Sequence, residues 1–343
     1  MDKKKIFWGI FSILIAILSI WAVVAQNKNF SADILIQFIR ESNKGWLFAS
    51  ALCMFGFIFF EGYALVRIVK SLGYKKSAGH GTVYGAADVY FSAITPSASG
   101  GQPASAYFMM KDGMPGTTVT VALLLNLIMY TLALLTLGLI CVIFRLDLFA
   151  GFSFFSKALI IVGVVVLVVL AFVFFMLIKK ASILYKFCNA VLVFLEKIHL
   201  LRHGQKKRDK LNRTMDEYQE CARIVGGKWN MLFEVYLWNL LQRLSQIAVS
   251  FMIFRATGVG IKESLDVCVI QTLVAVGSNS VPIPGSMGVA DYLMLDGFSQ
   301  VVGENATTME LLCRGMTFYG CVITSAAIVL FGYIHRRIAR KKA

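Results

Sequence analysis

Charge, proline and histidine are all scarce in this chain. Only 15% of the 343 residues are charged and 58% are hydrophobic, whereas an average soluble domain is about 25% charged. That balance excludes an ordinary water-soluble globular domain. The four histidines (80, 199, 203 and 335) fall in loops or at the ends of apolar runs. Without HExxH the usual zinc-hydrolase signature is missing. Without GxxxxGK[ST] there is no phosphate loop to drive an ATP motor, and without GxSxG there is no nucleophile elbow. GVGIK at 258–262 follows an apolar run and carries no weight as a nucleotide motif. The seven cysteines contain no CxxC pair and lie mostly inside apolar segments, where cysteine behaves as a small hydrophobe. Neither a disulfide framework nor a zinc site follows, and no cofactor is implied.

What the chain has instead is apolar length. Runs at 6–25, 46–69, 117–144, 158–178, 230–254 and 308–334 each reach the roughly 20 residues that a helix needs to cross about 30 Å of hydrocarbon. The first follows Met1-Asp-Lys-Lys-Lys and is longer than a signal-peptide core, so it reads as a retained span. The expected class is an all-α polytopic membrane protein forming one transmembrane domain over 1–343.

The five prolines are concentrated in two interruptions. TPSASGGQPASAYFMMKDGMP occupies 95–115 and VPIPGSMGVADY occupies 281–292. Each splits an apolar segment, 82–112 or 264–303, into pieces too short to cross comfortably. The placement of the 34 Lys and Arg residues bears on how these segments run, because cytoplasmic loops carry the excess. With the N-terminus inside, six full crossings and both broken segments re-entrant, 25 of the 34 lie on the cytoplasmic side, seven outside, and Arg243 and Arg314 within spans. The first re-entrant hairpin then enters from the cytoplasm and the second from outside, giving an N-in, C-in protein.

The same count explains the net charge of +15 without nucleic acid. Much of it lies in the cytoplasmic loop at about 179–229. The first part of that loop, Ile183 to His199, has one apolar side and one polar side, and RHGQKKRDKLNR follows. A helix of that pattern rests among inner-leaflet headgroups, and the basic run attracts anionic lipid; setting the topology would be sufficient reason for the same charges.

At membrane depth every backbone polar group must be satisfied, so irregular chain survives only where it is buried in protein or lines a wet cavity. The two breaks therefore point to a polar cavity of the kind transporters build from discontinuous helices. Free helix N-termini there would present N–H groups to an anion, with Ser97, Ser99 and Gln102 as further donors; ordinary proline kinks at helix contacts are the plainer alternative. In 230–254, Asn239, Gln242, Arg243 and Gln246 fall within an arc of about 100°, a single polar stripe. Arg243 is the candidate cation, since guanidinium matches phosphate oxygens as a fork, although a buried ion pair with Glu61, Asp88 or Asp291 would account for it equally. Glu61 and Asp88 are candidate counter-charges or protonatable groups, with an interfacial place open for Glu61. Glu234 falls outside the stripe and reads as interfacial. Arg314 reads as snorkelling to headgroups, and Asn126 and Tyr130 read as interhelical partners.

The two breaks together resemble the lysylphosphatidylglycerol synthase transmembrane family, the flippase region of the bacterial multiple peptide resistance factor and its stand-alone relatives. The resemblance is carried by Gly100-Gly101-Gln102-Pro103 and by the P-x-P-G-x-x-G core of Pro282, Pro284, Gly285 and Gly288, followed by Asp291 where the family more often has Glu. It implies a protein of the bacterial plasma membrane that moves an anionic or aminoacylated phospholipid such as lysylphosphatidylglycerol between leaflets. The cytosolic transferase domain of the full-length factor has no counterpart here, so the expectation is a lipid transporter and not an enzyme. A membrane-embedded lipid transferase, a small-anion carrier and a membrane subunit for a separate aminoacyl-phospholipid synthase are the alternatives, and homo-oligomerisation is open.

Overall fold

The computed structural model describes residues 40–95, 99–180, 182, 185–186, 189–190, 204–279, 281 and 283–342. The apolar run at 6–25, most of Ile183 to His199, and Ser97 and Pro282 lie outside them. Among the described residues every regular element is helical. In chain order the helices are α1 (Lys44–Ser71), α2 (Ala78–Ile94), α3 (Gly101–Lys111), α4 (Gly116–Phe144), α5 (Leu146–Gly151), α6 (Phe154–Lys179), α7 (Gly204–Gly226), α8 (Trp229–Ala256), α9 (Ile261–Ser278), α10 (Val289–Val302), α11 (Ala306–Arg314) and α12 (Cys321–Lys342). A π-helical turn, Gly315–Gly320, joins α11 to α12.

Local chemistry sets several of these boundaries. The Asn43 side chain accepts from Gly45 N at 2.9 Å and starts α1, and Ser153 does the same for α6 through Ser156 N at 3.3 Å. Both occupy N-cap positions, where a side-chain oxygen takes up an orphan helical N–H. Three helices, α1, α4 and α6, together with the stretch Val289–Arg336, are long and apolar enough to cross a membrane. Helix α8 has the length, 28 residues or roughly 42 Å, but its polar stripe makes it less apolar.

The helices of the two broken segments are short. Helix α3 has 11 residues and α10 has 14, roughly 16 Å and 21 Å. Each folds back antiparallel on its partner. Tyr84 of α2 lies beside Ser105 and Asp112, through Ser105 Oγ to Tyr84 O at 2.6 Å and Tyr84 OH to Asp112 Oδ2 at 2.6 Å, while Asp88 lies against Gly101. In the second segment Gly277 meets Leu293 and Ile270 meets Gly297. The open end of the α2–α3 hairpin adjoins the start of α4, because only residues 112–115 separate them. The open end of the α9–α10 hairpin sits by the far end of α4, where Arg145 pairs with Asp266. The two hairpins thus approach from opposite ends of α4 and their breaks point toward each other.

One apolar core joins α1, α8, α9, α10 and α11 through Ile58, Phe254, Leu273, Leu293 and Leu312, and a second joins α1, α2, α3, α4 and α7 through Leu65, Tyr84, Met109, Val121 and Tyr218. Helix α7, which begins with the basic run, docks on the bundle: Tyr218 is buried and donates to Leu177 O at 3.0 Å. Glu234, read as interfacial, pairs with Arg67 of α1, and both side chains are about a third exposed. By contrast α6 presents Phe154, Phe155, Val165, Val169 and Phe172 outward. Among these helices it has the most apolar outer surface, as a lipid-facing helix would.

Candidate functional site

Between the two breaks lies a cavity of about 540 Å³. Tyr130 and Arg243 fall halfway along α4 and α8, and both line it, so it sits at mid-depth in the bundle. The first break contributes Ser92, Ser99 and Gln102 and the second contributes Ser278, Asn279, Ile283, Gly285 and Ser286. Leu167, Leu170 and Phe174 of α6 close one side. Val169 and Phe172 of the same helix are exposed and do not line the cavity, so this wall separates the cavity from the outer apolar surface by a single helix.

Side chains and turns within the breaks take up several of their backbone groups. Thr95 Oγ1 accepts from Gly100 N at 2.8 Å and donates to Phe91 O at 2.6 Å. Ser286 Oγ donates to Ser278 O at 2.8 Å, and Ser286 N donates to Ile283 O at 2.9 Å. Two glycines are required by space and conformation. A Cβ on Gly101 would collide with Ser92 Oγ and the Asp88 carboxylate. Gly285 has φ +59, and a Cβ there would enter the Phe318 ring, so both the left-handed backbone and the contact exclude a side chain.

At both breaks, where the sequence pattern predicts helix N-termini open to an anion, a carboxylate of the protein lies beside the helix start. The Asp88 carboxylate lies against Gly101 at the start of α3, where Gln102 Nε2 donates to its Oδ1 at 3.4 Å. Asp291, three residues into α10, accepts from Gly288 N at 2.8 Å. Each helix start thus has a carboxylate of the fold beside it, which offsets the end charge, and Asp291 also takes up the Gly288 N–H.

Of the α8 stripe, Gln242, Arg243 and Gln246 line the cavity. Glu61 is buried, not interfacial, and accepts from Asn126 Nδ2 at Oε1 and from Gln242 Nε2 at Oε2, both at 2.7 Å. Asn239 stands behind the wall and donates to Asn126 Oδ1 at 3.0 Å. Arg243 donates through Nε to Gln242 Oε1 at 3.3 Å and through Nη1 to Gln246 Oε1 at 2.7 Å. Its guanidinium lies over the Tyr130 ring at 4.1 Å and the Phe57 ring at 5.1 Å. Among the described residues no carboxylate reaches ion-pair distance of Arg243, so the alternative of a buried pair is not what this state contains. Asn126 and Tyr130, read as interhelical partners, are that and cavity wall as well; Tyr130 OH donates to Asn279 Oδ1 at 3.0 Å, tying α4 to the second break.

Arg314 needs correcting. It is buried, not snorkelling. Its Nε lies 2.6 Å from Asp291 Oδ1, its Nη2 donates to Gly285 O at 3.3 Å, and it lines the cavity. It pins the second break, and Glu310, one turn before it in α11, is buried beside Asp291. Sequence reasoning missed this group because Asp291 is brought to Arg314 only by the fold. Of the remaining expected site residues, Ser99, Gln102 and Gly285 line the cavity. Gly100, Gly101, Pro103, Gly288 and Asp291 shape the breaks around it without lining it, and Pro284 opens the short helical turn of the second break.

A UPF0104 membrane protein from Archaeoglobus fulgidus is 21% identical over 310 residues, covering 89% of this chain and 92% of that protein. No solved structure matches the chain. The family model described as "Lysylphosphatidylglycerol synthase TM region" matches residues 9–325, a span that includes both hairpins and every cavity residue. This multi-pass membrane protein belongs to that family.

Proposed function

We propose that the protein is a lipid translocator of the cell membrane, moving an anionic or aminoacylated phospholipid between leaflets. In this reading the two hairpins are re-entrant, one from each face, and their breaks meet at the bilayer midplane. The lipid headgroup passes through the cavity while its acyl chains stay in hydrocarbon along α6.

The observation that carries this reading is the environment of Arg243. It is a buried guanidinium at mid-depth with neutral amide partners and an aromatic seat, opening onto a cavity whose far wall is a lipid-facing helix. A buried guanidinium whose hydrogen bonds go to neutral amides has no direct charged partner, and a phosphate can fill that place, because guanidinium and phosphate form charge-assisted, forked hydrogen bonds. The polar wall around it (Gln242, Gln246, Asn279 and Ser286) replaces headgroup hydration during passage.

The test is leaflet exposure in proteoliposomes. Purified protein is reconstituted with a trace of lysylphosphatidylglycerol, and a membrane-impermeant amine reagent reports the fraction that reaches the outside. Exposure above that of empty vesicles, lost in Arg243→Ala protein with an unchanged melting profile, supports the reading. Baseline exposure across several anionic lipids, with uptake of a soluble anion instead, replaces it with the small-anion carrier.

A further inference from the structure

The cavity region holds two groups with the same ratio of charges: Glu61 and Asp88 with Arg243, and Asp291 and Glu310 with Arg314. Their hydrogen bonding differs. Each oxygen of Glu61 receives an amide donor, and Asp88 has Gln102 and the start of α3. Glu310 is only 6% exposed, and its Oε1 has no hydrogen-bond partner among the described residues. Its carboxyl lies beside the Asp291 carboxyl, whose Oδ1, 2.6 Å from Arg314 Nε, likewise has no hydrogen-bond partner among the described residues.

The charged and titratable groups facing Glu310 are Asp291 from α10 and Arg314 and Cys313 from its own helix. Helix α8, packed on α11, brings Ser250 to Cys313, and Glu304 of the preceding turn is exposed. One guanidinium thus faces two carboxyls. A buried carboxylate oxygen without a donor is strongly disfavoured, and the donor this geometry lacks is a proton between the two acids.

We propose that Glu310 and Asp291 form a proton-binding site that couples proton movement to rearrangement of the second break. With the proton present, the Glu310 O–H donates to the Asp291 carboxylate, and Arg314 is free to hold Asp291 and the Gly285 carbonyl. When the proton leaves to water through Asp291, whose side chain is 26% exposed, two carboxylates compete for Arg314. Glu310, one turn away on the same helix, then draws the guanidinium off Gly285 and releases the break. The coupling rests on the translocator reading; the proton site itself does not.

Infrared spectroscopy of the reconstituted protein tests the site. At neutral pH wild-type protein should show the carbonyl band of a protonated carboxyl that Glu310→Gln and, independently, Asp291→Asn lose or shift. A band unchanged in both variants, or absent from wild type, overturns the site. Coupling is read from the same vesicles with an imposed pH difference: one proton per lipid changes the steady-state leaflet ratio by about tenfold per pH unit, and Glu310→Gln abolishes that dependence. Wild-type protein that moves lipid with no response to the gradient overturns the coupling and leaves translocation standing. If wild type moves no lipid, translocation and coupling fall together, while the infrared band still decides the site.

Discussion

Arg243 lies with its guanidinium carbon 4.1 Å from the centroid of the Tyr130 ring. The pair joins the middle of α8 to the middle of α4, and Tyr130 reaches on to Asn279 in the second break. A group arriving at the guanidinium is therefore sensed by both the cavity wall and one of the two breaks.

Arg243→Lys should behave almost like Arg243→Ala in lipid exposure. An ammonium keeps the charge but cannot stack flat on Tyr130 while forking between Gln242 and Gln246, and it presents phosphate with a point charge instead of two parallel donors. The loss of stacking and fork geometry corresponds to about 1–2 kcal/mol, so a drop of roughly tenfold in initial exposure rate is expected at unchanged melting temperature. A lysine variant that retains the full rate would show that charge alone is used.

Glu61→Ala should be the most destabilising of the single changes at the cavity. It removes the acceptor for Asn126 and Gln242. Leaving two buried amide donors unpaired costs about 1–3 kcal/mol each, which a melt in detergent would register as a large downward shift. Glu61→Gln keeps the shape and one acceptor and should cost only about 1–3 kcal/mol. Equal melting of the two variants would mean that the network is not what holds α1, α4 and α8 together.

The open end of the first hairpin is closed by a different pair. Arg336 donates through Nε to Asp112 Oδ1 at 2.8 Å and through Nη2 to Oδ2 at 2.7 Å, and Lys76 Nζ donates to Asp112 O at 2.6 Å. Burial alone would raise the Asp112 carboxyl, but the hydrogen bonds from Arg336 and Tyr84 outweigh it and hold it below the ordinary carboxylate value. A depressed native value means stability that is fully present above the unfolded value, about 3.9, and is lost as pH falls through the native one. Acid titration of the melting temperature should therefore drop below about pH 4 in wild type. In Asp112→Asn the neutral-pH value should be lower and the acid limb flatter. Parallel curves for the two proteins would remove Asp112 from the acid response.

Much of this arrangement is legible in the sequence because it is local or periodic. The apolar runs locate α1, α4 and α6, the prolines locate both breaks, and a spacing of three and four residues puts Gln242, Arg243 and Gln246 on one face. What is not legible depends on contacts between distant segments. Arg314 follows the short amphiphilic start of α11, where an exposed arginine is the ordinary expectation; only the return of α10 places Asp291 beside it. The carboxylate at the start of α3 likewise comes from outside the local pattern, since Asp88 belongs to the neighbouring helix of the hairpin, whereas Asp291 at the start of α10 is local. Glu310 is a single acid before an apolar run, and nothing near it in sequence marks it as buried.

Gly285→Ala tests whether the second break has to keep its shape for transport or only for folding. The residue has φ +59 and its missing Cβ position is occupied by Phe318, while its carbonyl is held by Arg314. A side chain there adds about 1–3 kcal/mol of backbone strain and displaces the Phe318 ring, which lines the cavity. Phe318→Ala combined with Gly285→Ala relieves the collision but leaves the backbone strain. If the shape of the break matters for passage, the single variant should melt lower and lose lipid exposure, and the double variant should regain exposure more than stability. Recovery of stability without exposure would place the requirement in the Phe318 ring itself, as part of the cavity wall.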